Sequence, residues 1–133
     1  MLGYLWGGKN KATKPENENP ELAMREQLDA HGEYSTKADG TMEIKDFLVL
    51  RAIITRQSSR AFQPLKTQFK DKQFELYKAN DQQAYINNFV QGQRAYNESI
   101  LFMTKKACEW IEFDYKNYIL TQQEFMKKQE TAQ

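Results

Sequence analysis

The chain has 133 residues, of which 40% are apolar and 13% aromatic, and its 19 basic and 18 acidic side chains leave a net charge of +1. That length suits one domain with a real core, and the balanced charge excludes the basic footprint of a dedicated nucleic-acid binder. A single Cys108 and a single His31 exclude a Cys/His zinc site and an intrachain disulfide.

The first nineteen residues read as an extended arm and linker. "MLGYLWGGKNKATK" carries lysines and no acid, but it lacks arginine and an amphipathic helical pattern, so it is taken as an uncleaved arm and not as a targeting leader. Its Leu2, Tyr4 and Trp6 are candidate partner-binding residues. One helical domain is expected over 20–128, followed by a polar tail over 129–133. The first helix starts with Asn19 as N-cap, Pro20 at the first helical position and Glu21 in the first turn. It stops before Gly32, and Leu22, Met24 and Leu28 form its apolar side.

The loop "HGEYSTKADG" leads to a second helix, expected from Thr41 to Ala61, whose Ile44, Phe47, Leu48, Val49, Leu50, Ile53 and Ile54 cover more than one face. Pro64 is expected to separate it from a third helix over 65–79 with Leu65, Phe69, Leu76 and Tyr77 at helical spacing. Asn80 and Asp81 mark a break. Beyond them Ile86, Phe89, Val90, Ile100, Leu101, Ala107, Cys108, Ile111, Tyr115 and Ile119 keep a 3.6-residue rhythm, read as two helices divided near Gly92. No stretch alternates as a strand does, so the fold class is all-α, a bundle of four to five helices. The longest apolar run, "FLVLRAII" at 47–54, is interrupted by Arg51 and falls short of the ~20 residues of a membrane span. The expectation is no spanning segment, with room only for peripheral contact.

One stretch bears on specific chemistry. In "KADGTMEIKDF", residues 37–47, Gly40 set at the sixth position of a twelve-residue loop puts Asp39 at position 5, Thr41 at 7, Met42 at 8, Glu43 at 9 and Asp46 at 12, followed by Phe47. This half resembles the calcium-binding loop of the EF-hand (calmodulin-like) family. Ser35 and Lys37 fall at positions 1 and 3, where that family places carboxylates, and a lysine ammonium opposes a divalent cation. An alternative register starts the loop at Asp29 and makes "AHGEYSTKA" an insertion. Partial echoes recur at 111–125, with Asp114, Ile119, Glu124 and Phe125 in order, and at 76–89, with Asn80, Asp81 and Ile86. The resemblance implies degenerate helix-loop-helix units over residues 20–126. Should the loop function, calcium would be the cofactor, held by Asp39, Thr41 through its backbone, Glu43 and Asp46; otherwise no cofactor and no metal are expected.

No catalytic constellation is present. His31 has no Ser, Cys or Asp at triad spacing, and the carboxylates Glu109, Glu112 and Asp114 read as solvated helix charges. "NES" at 97–99 matches a glycosylation acceptor inside a helix and is read as chance. Cys108 reads as a buried small apolar residue in a reducing compartment. The aromatics Phe102, Trp110, Phe113, Tyr115 and Tyr118 run around their helix, the distribution of a helix placed between its own domain and a partner. The expectation is therefore a non-enzymatic accessory subunit of a large intracellular assembly, binding other protein subunits through Leu2, Tyr4, Trp6, Trp110, Phe113 and Tyr118. A mitochondrial location is the guess, with a cytoskeletal or cytoplasmic one as the alternative, and the alternative function is a calcium-responsive EF-hand-like regulator.

Overall fold

In the computed structural model, which describes residues 16–132, four helices follow one another: α1 Pro20–His31, α2 Ile44–Lys78, α3 Gln82–Trp110 and α4 Tyr115–Ala132. Helix α1 begins as its sequence requires, because the Asn19 side-chain oxygen accepts the backbone N–H groups of Glu21 at 2.9 Å and Leu22 at 3.3 Å. It ends at Gly32, whose φ of +86° suits glycine and whose N–H returns to the Asp29 carbonyl. Its buried side is Ala23, Met24 and Leu28. Leu22, expected inward, is exposed.

Pro64 does not divide the second and third expected helices; it lies inside the 35-residue α2. Proline withdraws the N–H that would have met the Arg60 carbonyl and crowds that carbonyl with its ring, a local cost of about 3 kcal/mol. Strong helix formers on both sides and the neighbouring α3 hold the remainder of the helix.

Gly92 does not break α3 either, which runs unbroken for 29 residues. The break falls instead at Ile111–Asp114. There Glu112 adopts a left-handed φ of +56°, the Glu112 N–H bonds the Glu109 carbonyl, and the Phe113 N–H bonds the Cys108 carbonyl. This is a Schellman cap built without glycine. The α2–α3 corner repeats it, with Asn80 at φ +57°, Asn80 N–H to Tyr77 and Asp81 N–H to Leu76. Each corner then opens a helix with an aspartate: Asp81 accepts Ala84 N–H at 3.1 Å, and Asp114 accepts Lys116 N–H at 2.9 Å. The stretches 76–89 and 111–125 thus each run through a short corner directly into the next helix. The expected polar tail is also helical over 129–132.

The core lies at one end of the α2–α3 pair. It gathers Met24 and Leu28 of α1, Met42 of the loop, Phe47, Leu50 and Ile54 of α2, Met103, Ala107 and Cys108 of α3, and Tyr118 of α4. The Phe47 ring sits 5.3 Å from Tyr118 and 5.8 Å from Phe125, distances suited to aromatic pairing. Beyond this base, α2 and α3 continue together as a two-helix hairpin. Its own contacts are a smaller aromatic set, Phe62 against Tyr96 at 5.3 Å and against Phe69 at 6.5 Å, and Asn88, whose Nδ2 donates to the Phe69 carbonyl and to Gln73 Oε1.

Candidate interaction surface

The residues singled out from sequence separate into different places. Leu2, Tyr4 and Trp6 lie outside the described residues. Tyr118 is not offered to a partner: it is a core side chain whose hydroxyl pKa burial pushes up to about 12. Phe113 is half-buried against the same core. Trp110 is 42% exposed, but its Nε1–H donates to Asp29 Oδ1 at 3.0 Å and the Arg25 guanidinium lies 4.5 Å from its ring centre. Its role within the fold is to fasten α3 to α1 through one hydrogen bond and one cation–π contact.

The loop at 32–43 keeps the glycine turn of the resemblance and closes on itself. Gly40 has φ +89°, Thr36 and Met42 form an isolated antiparallel bridge, and the Glu43 N–H bonds the Ser35 carbonyl at 2.8 Å. Met42 is completely buried, and its N–H donates to Thr121 Oγ1 of α4 at 3.0 Å. Asp39, Asp46 and Lys37 each have a partner within the fold. Asp39 Oδ1 accepts both the hydroxyl and the N–H of Thr41, bonds that lower its pKa. Asp46 accepts the Ser35 N–H at 2.9 Å, the main cause of its lowered pKa, and meets His31 Nε2 at 3.0 Å. The Lys37 ammonium reaches out to Glu124 at 3.0 Å, which raises its pKa. Among the described residues no three His, Cys, Asp or Glu side chains gather where they could hold a metal ion, so Asp39, Glu43 and Asp46 are not brought together as a cage.

A second polar cluster secures the start of the described chain. Glu16 accepts from Arg56 Nε at 3.1 Å and Arg56 Nη2 at 2.7 Å, from the buried amide of Gln57, and lies 3.3 Å from Arg60 Nη1. The Arg56 hydrogen bond leads the causes that hold its carboxyl near pKa 2. Arg60 also donates to the Asn17 carbonyl at 2.7 Å. These contacts lay residues 16–19 along the middle of α2.

The surface that sequence reasoning did not single out is the hairpin. Of the large apolar side chains that are more than half exposed, Phe74, Tyr77, Ile86 and Phe89 lie on the hairpin, while Phe102 lies beside the core residue Met103 at the base. Between α2 and α3 runs an open groove of ≈ 520 Å³ whose apolar walls are Phe62, Phe69, Phe89 and Tyr96. Lys66 and Lys70 stand on its rim and are, among the described residues, its only charged lining. At Gly92 an added Cβ would lie 3.4 Å from the Phe69 ring, so the absent side chain opens the groove floor. One sequence signal does mark this region: Gln82–Gln93, "QQAYINNFVQGQ", contains no charged residue, and charge depletion with aromatic enrichment is a feature of buried interface centres.

Comparison with known protein families, with curated proteins and with solved structures finds no match for this chain. The fold defines it as an all-α helical bundle, and among the described residues no helix is long and apolar enough to cross a membrane.

Proposed function

We propose that this chain is a non-enzymatic interaction subunit of a larger intracellular protein assembly, with the projecting α2–α3 hairpin as its docking element and the base as its rigid mount. The observation that carries this reading is that the four most exposed large apolar side chains among the described residues, Tyr77, Phe74, Phe89 and Ile86, all lie on the hairpin. Tyr77 and Ile86 line one surface recess and Phe89 lines the groove next to it, and clustered apolar surface marks contact with another protein more often than it remains bare in water. No side chain of α2 after Phe62 and none of α3 before Met103 is buried, so a partner would supply the burial that two helices do not supply each other.

Site-specific photo-crosslinking in cells tests it. A photoreactive phenylalanine analogue at Phe74 or Phe89 should yield higher-mass products, while the same probe at Leu48 or Leu120 on the base should yield far less. Products from the base alone, or from none of the four, would overturn the reading. The loop at 32–43 then serves packing. Millimolar calcium should leave the amide resonances of Gly40 and Thr41 in place, and a saturable shift there would return the loop to metal binding.

A further inference from the structure

The groove's lining constrains what can occupy it. Resting on the reading of the hairpin as a docking element, we propose that the groove receives an amphipathic helix of another protein, with its apolar stripe against Phe62, Phe69 and Phe89 and acidic residues beside Lys66 and Lys70.

Shape favours a helix over a compact small molecule. The lining on α2 extends from Ser59 to Gln73, about 21 Å at the helical rise of ~1.5 Å per residue. The apolar track then continues toward the hairpin tip. Tyr77 falls four residues after Gln73 and Ile86 three before Phe89, spacings that keep both on the groove side of their helices, and both are more than half exposed. A long trough between two antiparallel helices fits a third helix presenting side chains at i, i+3, i+4 and i+7.

Charge selects among helices. Lys66 and Lys70 are one turn apart, and among the described residues neither has a carboxylate within ion-pair distance. Like charges at this spacing repel on an isolated helix, and an acid set between them would reverse that term. A second copy of this chain docked symmetrically would bring two lysine pairs together. The chain's own basic "KNKATK" segment carries the same sign as the rim. An acidic helix from a different protein is the occupant whose charge the groove complements.

The test uses the full chain with two synthetic helical peptides of eighteen residues, identical in their leucine stripe and flanked by glutamates in one and by lysines in the other. Fluorescence anisotropy should show the glutamate peptide binding at least about tenfold more tightly at low salt. The amide of Gly92 and the side-chain amide of Asn88 should shift in ¹H–¹⁵N spectra. Lys66→Glu with Lys70→Glu, both on exposed positions, should invert the preference toward the lysine peptide. Equal binding of the two peptides, no binding of either, or shifts confined to the base would each overturn the proposal. If that happens while crosslinks still form from Phe74 and Phe89, the hairpin remains a docking element and only the helical, acidic identity of its occupant is lost.

Discussion

The base and the hairpin are built from the same two long helices, yet their side chains meet different surroundings. At the base, α2 presents Phe47, Leu50 and Ile54 to α1, α4 and the end of α3, and each is at most 1% exposed. Two turns beyond Ile54 the flanking helices are gone. Phe62 is the last buried side chain of α2, and Phe74 and Tyr77 stand mostly in solvent. Helical pattern alone therefore does not determine burial: the same spacing makes core where α1 and α4 cover it and surface where they do not.

Truncating a ring should separate the regions most sharply. Phe47→Ala is expected to destabilise the fold by about 3–5 kcal/mol in urea unfolding, because it empties a site closed by Tyr118 and Phe125. Phe74→Ala, on a side chain that is 59% exposed, should change stability by no more than about 0.5 kcal/mol. A comparable loss at both positions would mean that the hairpin is packed as tightly as the base.

The glycines sharpen the same contrast. At Gly40, φ is +89° and an added Cβ would approach Asn117 to 3.2 Å, so Gly40→Ala should cost about 1–2 kcal/mol. Gly92 sits in ordinary helix with only a 3.4 Å approach to Phe69. Gly92→Ala should therefore stabilise by about 0.5–1 kcal/mol through helix propensity, while narrowing the groove. Thermal unfolding of the two variants reads both signs.

The smallest effect concerns the Glu16 contact with α2. Its carboxyl is lowered to about 2 in the folded chain, whereas an unfolded glutamate titrates near ~4.3. The unfolded chain takes up the proton first, so this contribution is complete above that value and is lost as pH falls through about 2. Asp46, also lowered, acts in the same direction. Glu16→Gln should flatten part of the acid-side stability curve, and an unchanged curve would show that the contact adds nothing.

How much of this was legible in the sequence follows from the physics of each signal. The α1 cap was plain because Asn19, Pro20 and Gly32 each act locally. The corner at 111–114 was hidden, since Glu112 takes a left-handed conformation that sequence rules reserve for glycine or asparagine, and Gly92 drew the break to itself although a helix tolerates one glycine for about 1 kcal/mol. Pro64 misled similarly, because its penalty of about 3 kcal/mol is local and the helix is held on both sides of it, by the base before it and by α3 alongside it. Of the loop, Gly40 and the buried Met42 were readable as a turn. The pairing of Asp46 with Ser35 and His31 was not, because it is decided by contacts across the loop. Tyr118 and Phe89 were interchangeable aromatics on a helical wheel, and only the positions of α1 and α4 make one core and the other surface.

Amide hydrogen exchange of the isolated chain tests the division between mount and docking element most directly. Amides of α2 near Leu50 and Ile54 and of α3 near Met103 and Ala107 should exchange only through global unfolding, while those at 68–78 and 83–93 open locally and exchange at least tenfold faster. Uniform protection along both helices would contradict the account, for it would mean that the hairpin is complete without a partner.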